Sequence, residues 1–263
     1  MISMYSGTIG SGKSYHALED IIAWLDKGKY VIANFALTFS EGQIRRGYAE
    51  RFMYMDDRYL MGVSGIRQLL DISRANGWDE AEEEGLCLVV IDEATNYYPR
   101  EDGTKPEQRM WRTFFTQSRK LGYDFILILQ DDQSINKTIV KCIEYDVKHR
   151  KANNIWPFKL LNLFKITIFV HVTYWRQQRT RLKSSSTIFV KRLAGMYQSK
   201  KMFADFDGQL DKFLQTLTDD SDNIPLAYFG NCAPSPDEAV YAGGARQGGS
   251  RGVAASGDGA DVV

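Results

Sequence analysis

Gly7-Thr8-Ile9-Gly10-Ser11-Gly12-Lys13-Ser14 fills every fixed position of the phosphate-binding pattern G-x-x-x-x-G-K-[ST]. Gly7, Gly10 and Gly12 let the backbone wrap closely around an anion, at φ angles that a side chain disfavours. The amides of the loop, Ser11 among them, and the start of the following helix turn N–H groups and a positive dipole end toward phosphate. Lys13 is placed to reach the β- and γ-phosphates, and the Ser14 hydroxyl to ligate Mg²⁺. A second group lies some 80 residues on, where Leu88-Val89-Val90-Ile91 runs into Asp92-Glu93. Asp92 is the candidate metal carboxylate, and Glu93 the candidate for polarising an attacking water. A Glu directly after the metal Asp points to ATP hydrolysis for mechanical work. Gln130 closes another apolar run and is a candidate sensor of the γ-phosphate or orienter of water.

Arg109, Arg112, Thr116 and Arg119 share one face of an expected helix over residues 106–121. That stripe is either solvated or DNA-facing, or it presents an arginine to the γ-phosphate of a neighbouring subunit, which would stabilise transition-state charge. Arg119 is the candidate for that arginine.

These residues need a strand before each of them and helices between. Residues 1–6 are apolar and β-compatible. Leu18, Ile21, Ile22 and Leu25 mark one helical face after the loop, with Gly28 at its end. Residues 29–35 read as a second strand, with Asn34 near its end a polar residue facing the expected site edge. Residues 66–75 read as a helix, 79–84 as an acidic loop or helix end, and 86–91 as a strand buried on both faces. The helix over 106–121 has Pro106 at its start and Gly122 after its end, and residues 125–129 are a further buried strand. Residues 138–149 and 166–176 read as strands, 183–186 as a turn, and 187–190 as the start of another strand. Residues 36–65 give no clear pattern. Residues 211–217 suggest a helix, and 242–263, rich in Gly, Ala, Ser and Asp, suggest disorder. Strands alternating with helices over residues 1–130 predict an α/β fold, a P-loop NTPase with a mostly parallel sheet covered by helices on both faces. The expected division is an ATPase domain over 1–200, strand-rich and basic over 141–200, then a helical extension over 201–232 and a flexible Gly/Ala-rich tail over 233–263.

The 263 residues suit one large α/β domain, or one domain with an appendage, and a hydrophobic fraction of 44% provides a core. Cys87, Cys142 and Cys232 form no C-x-x-C pair, which excludes a zinc ribbon and a disulfide framework and suggests a reducing compartment. The first strand and the loop occupy the place where a signal peptide would stand. Net charge is zero, yet residues 141–201 carry 14 Lys and Arg against only Glu144 and Asp146. Such a segment is either a face for nucleic acid or anionic lipid, or a set of solvated strands with edge-protecting lysines. Residues 156–165 read as a buried loop and short helix, or as a membrane-interface segment. No stretch is long and apolar enough to cross a bilayer.

Three passages together resemble the zonular occludens toxin (Zot) family, which includes the assembly ATPases of filamentous phages. They are residues 5–14, the strand Val89-Val90-Ile91-Asp92-Glu93-Ala94 followed by aromatics and Pro99-Arg100, and above all residues 114–131, with their Ser118-Arg119-Lys120-Leu121-Gly122-Tyr123-Asp124 passage. Gly195-Met196-Tyr197-Gln198-Ser199 is similar to the close of the family's domain. The resemblance spans residues 1–200. It implies an ATP- and Mg²⁺-dependent motor that extrudes single-stranded phage DNA through the host inner membrane as coat protein assembles around it. Lys13, Ser14, Asp92 and Glu93 carry over as its nucleotide and metal residues. It also implies oligomers, and coat or membrane assembly proteins as partners. A cytoplasmic DNA-translocating or packaging ATPase, gripping DNA with residues 141–201, is the alternative. Typical members continue into a transmembrane helix, whereas this chain continues into its Gly/Ala-rich tail, so the expected location is cytoplasmic and peripheral to the inner membrane.

Overall fold

The computed structural model describes residues 1–154 and 166–197. The expected helix over 211–217, the extension and tail, and the reading of residues 156–165 lie outside them. The strands are β1 (Ile2–Ser6), β2 (Tyr30–Ala33), β3 (Phe52–Tyr54), β4 (Cys87–Ile91), β5 (Tyr123–Ile128), β6 (Tyr145–Lys151), β7 (Ile168–Trp175) and β8 (Thr180–Ile188). They form one sheet in the order β3-β2-β4-β5-β1-β6-β7-β8. The six strands from β3 to β6 run parallel, and β7 and β8 are antiparallel. The helices are α1 (Lys13–Asp26), α2 (Glu41–Arg45), α3 (Tyr48–Arg51), α4 (Asp57–Leu60), α5 (Gly62–Ala75), α6 (Pro106–Gln117), α7 (Lys137–Val140) and α8 (Lys191–Ala194).

The apolar runs become strands because parallel strands are covered on both faces. Successive residues of β4 alternate between two cores. Val89 and Ile91 pack with Met4, Phe125 and Leu127 beneath α5 and α6, where Ile66, Leu69, Trp111, Phe114 and Phe115 are buried. Leu88 and Val90 pack on the other face with Val31, Ala33, Ile126 and Ile128 beneath Leu18, Ile21 and Leu25 of α1. The expected α/β sheet with helices on both faces is therefore present.

Several boundaries differ. Residues 36–65 contain α2, α3, the edge strand β3 and α4, pieces of three to five residues that are too short to show a period. The expected strand over 138–149 begins instead with α7, capped by the Asn136 side chain accepting from the Thr138 N–H, and becomes β6 only at Tyr145. The helix over 106–121 tightens into a 3-10 turn after Gln117. Lys183-Ser184-Ser185-Ser186 is not a turn. It lies inside β8, paired residue by residue with β7, and the reversal falls at residues 176–179. Ladder pairing with β7 overrides the weak strand propensity of three serines. β8 is the outer strand, mostly exposed, and Arg181 and Lys183 stand on it, as charges on sheet edges often do.

Candidate nucleotide-binding site

Because β1, β2, β4 and β5 run parallel, the residues after each emerge at one edge of the sheet. The phosphate loop follows β1, Asn34 follows β2, Asp92 and Glu93 follow β4, and Leu129-Gln130 follow β5. β5 lies between β1 and β4, which places Gln130 between the loop and the carboxylates.

The loop has little room to change. Gly7 (φ 148°) and Gly12 (φ 92°) both lie at positive φ. A Cβ on Gly7 would stand 2.6 Å from the His149 carbonyl oxygen, and one on Gly12 would stand 2.4 Å from the Phe169 ring. Both glycines are therefore required by conformation and by close packing, and β6 and β7 brace the loop. Ser11 is 2% exposed, and its Oγ is buried without a hydrogen-bond partner. Gly12 caps α1, a helix of 14 residues with no acidic residue in its first turn to oppose an anion. Lys13 Nζ donates to the carbonyls of Gly7 (2.8 Å) and Thr8 (3.1 Å), so its charge sits over the loop. Burial lowers the Lys13 pKa, while Asp92 and Glu93 pull it back upward.

Ser14 Oγ donates to Asp92 Oδ2 at 3.0 Å. Asp92 is 7% exposed and is held on every side. Its N–H donates to Asn34 Oδ1 (2.7 Å), and its carbonyl accepts from Asn34 Nδ2 (3.0 Å). Its Oδ1 accepts from the Glu93 N–H (2.9 Å), and its Oδ2 also accepts from the Tyr197 hydroxyl (2.9 Å). Asn34 Nδ2 donates in addition to Tyr97 Oη, whose own hydroxyl bonds to Asp57. Burial and the neighbouring Asp92 push the Tyr197 phenol well up, so it is a proton donor to the carboxylate. Among the described residues, no group of three His, Cys, Asp or Glu side chains could cage a metal. The hard oxygens of Ser14 and Asp92 suit Mg²⁺, which takes one or two protein oxygens and fills its other positions with phosphate and water.

Glu93 differs from its neighbour. It is half-buried and adopts φ 51°, an uncommon conformation for a residue with a side chain. Its Oε1 accepts from Gln130 Nε2 at 3.4 Å, so the structure does bring together the two residues expected to handle water.

Arg119 is not at this site. It precedes β5 and ion-pairs with Glu84 (3.3 Å) and Glu144 (2.9 Å), which precede β4 and β6. It therefore lies at the opposite edge of the sheet. Arg109, Arg112 and Thr116 are exposed on α6.

All three histidines of the chain meet beneath the loop. His149 Nδ1 faces two carbonyls, Val147 (3.0 Å) and Ser6 (3.3 Å), and must donate. Its Nε2 then accepts from His16 Nδ1 at 2.9 Å, and His16 stacks on His171 at 3.7 Å between ring centroids. Burial, followed by neighbouring His171, lowers the pKa of His16 to about 2 and of His149 to about 4. All of this joins α1 to β6 and β7. The sequence placed Asn34 as a polar residue facing the site edge, where its side chain does meet the Asp92 backbone. It held no sign of His149, Phe169 or Tyr197 at the site, since each of these three meets it across more than 100 residues of chain.

The sequence profile of the zonular occludens toxin (Zot) family matches residues 1–201. The chain belongs to that family. The Gene 1 protein of Enterobacteria phage I2-2 is 27% identical over 139 residues, which is 52% of this chain and 36% of that relative. The chain thus matches only about a third of that relative's length. The N-terminal domain of zonular occludens toxin from Neisseria meningitidis is similar over 75% of this chain and 98% of that one, at 15% identity and a TM-score of 0.43. A further solved structure, of an ATPase domain, is similar over 74% of this chain and 83% of that one, at 10% identity and a TM-score of 0.50. The Zot-family domain here has the P-loop NTPase fold. Among the described residues, no helix is long and apolar enough to cross a membrane.

Proposed function

We propose that this Zot-family chain hydrolyses ATP at the Gly7–Ser14 loop, and that hydrolysis drives assembly and export of a filamentous phage through the host inner membrane. The observation that carries the enzymatic part is the Ser14–Asp92 contact of 3.0 Å, with Glu93 and Gln130 at the same sheet edge. The loop glycines and amides bind the phosphates, and Lys13 turns from the loop carbonyls to the terminal phosphates. Mg²⁺, held by Ser14 and Asp92, would neutralise charge on the β- and γ-oxygens. Glu93 takes the proton of the attacking water and Gln130 orients that water. Arg119 enters this reading only through a neighbouring copy, because its own chain's site lies at the other edge. Family membership and the likeness to a phage Gene 1 protein support the phage role, with coat or membrane assembly proteins and further copies of the chain as partners.

A second reading, DNA translocation in the cytoplasm, is favoured by the exposed strand β8 with Arg181 and Lys183. ATP turnover by the full chain, with and without single-stranded DNA and across a salt series, separates the two. Turnover that requires Mg²⁺, is indifferent to DNA, and accompanies binding to coat protein in anionic vesicles supports export. Stimulation by DNA that falls steeply with salt supports translocation. Absence of Mg²⁺-dependent ATP turnover overturns both.

A further inference from the structure

The Asp92 carboxylate is oriented partly by a residue from the far end of the described chain. Tyr197 follows α8 and comes back over the end of β2. It forms an isolated antiparallel bridge with Leu37, and the carbonyl of Met196 accepts from the Thr38 N–H at 3.0 Å. The Tyr197 ring packs edge-on against Phe35, at 4.8 Å between centroids and an interplanar angle of 66°. With its backbone and ring fixed in this way, the phenol reaches Asp92 Oδ2 at 2.9 Å, the same oxygen that accepts from Ser14. A carboxylate offers about four acceptor positions on its two oxygens. Here Ser14 and Tyr197 take two on Oδ2, and the Glu93 N–H takes one on Oδ1. The group cannot rotate without breaking a bond to one of them. Asn34 fixes the backbone beneath, but among the described residues only Tyr197 ties the carboxylate to residues outside the loop and the acidic strand.

We propose that Tyr197 is a positioning residue that holds the Asp92 carboxylate in its metal-binding orientation, so that the packing of residues 196–197 against residues 35–38 sets the Mg²⁺ affinity of the site. This rests on the proposed nucleotide and metal site. Groups that orient a metal's ligands typically govern about 10- to 100-fold in metal affinity. The effect is carried by the hydroxyl and not by the ring. Tyr197→Phe keeps the contact with Phe35 and the bridge to Leu37, while Tyr197→Leu loses both the hydroxyl and the ring.

The test is equilibrium binding of a fluorescent ADP analogue to the full chain in EDTA and across a Mg²⁺ titration. In wild type, Mg²⁺ tightens binding. In Tyr197→Phe, affinity in EDTA stays within about twofold of wild type, while the Mg²⁺ concentration needed for half of the tightening rises about tenfold, and Tyr197→Leu shifts it at least as far. If Tyr197→Phe behaves as wild type, whether or not Tyr197→Leu is impaired, Tyr197 serves only packing and the proposal is overturned. If wild type binds no nucleotide, or binds it equally with and without Mg²⁺, the underlying site reading fails and takes the proposal with it.

Discussion

Asp92 and Glu93 are adjacent in sequence and opposite in environment. Asp92 is buried, its backbone is clamped by Asn34, and its two oxygens accept from Ser14, Glu93 and Tyr197. Glu93 is half-buried, sits at positive φ, and has among the described residues one side-chain partner, Gln130, at 3.4 Å. The half of the site that would bind metal and phosphate is already built, with partners drawn from the start of α1, the residues just after β2 and β4, and the segment after α8. The half that would handle water is sparse, and a contact of that length is of the kind that tightens once substrate is in place. The difference teaches that binding and hydrolysis here depend on separate sets of restraints, and can be broken separately.

The broadest expected effect, on binding and on hydrolysis together, comes from the side chain shared by both halves. Lys13→Ala should lower kcat/KM for ATP by about 10³-fold, roughly 4 kcal/mol of transition-state stabilisation. Steady-state kinetics check this, and persistent turnover would remove the loop from the reaction.

The brace beneath the built half is sensitive to acid. The folded pKa values of His16 and His149 are lowered to about 2 and about 4 from 6.5. Below pH 6.5 the unfolded chain therefore binds protons that the folded chain refuses, and stability present above pH 6.5 is lost as pH falls toward 4. Asp20, raised to about 6 from 3.8 by burial, works in the opposite direction as it protonates, and offsets only part of the loss. Urea unfolding should show a decline on the order of a few kcal/mol between pH 7 and 4. A flat profile would mean that the histidines are not held neutral.

Asn34→Ala strips partners from the Asp92 N–H and carbonyl and from the Tyr97 hydroxyl. A loss of about 1–3 kcal/mol is expected for such buried groups, read as a lower denaturation midpoint together with weaker Mg²⁺-dependent nucleotide binding. Unchanged binding would show that Asp92 is held without the clamp. The smallest effect belongs to Arg119→Ala. Its ion pairs are 47% exposed on the arginine side, and exposed pairs contribute under about 1 kcal/mol. A larger drop in unfolding free energy would make it a structural residue of the opposite edge.

The sequence made the site legible where function is local. Gly7 to Ser14 and the strand ending in Asp92-Glu93 are contiguous patterns, and their apolar flanks also specify the sheet. Gln130 was legible for the same reason, as the polar end of a buried run. The place of Arg119 in its own chain was not legible, because helical spacing shows a shared face and not a sheet edge. A helix that returns the chain to the start of a parallel strand must end at the edge away from the site. Tyr197, His149 and Phe169 were hidden by distance along the chain, since nothing near them in sequence records what they touch. The strand β8 was hidden because its pairing partner, and not its three serines, makes it a strand.

The separation of binding from hydrolysis is tested most directly with Glu93→Gln, which keeps the side chain's shape and removes the base. In one preparation, Mg²⁺-dependent ATP affinity and single-turnover hydrolysis are measured side by side. Affinity within about twofold of wild type, with hydrolysis slowed by about 10²–10⁴-fold, is the expected result. Hydrolysis at the wild-type rate, or affinity and hydrolysis falling together, would contradict it.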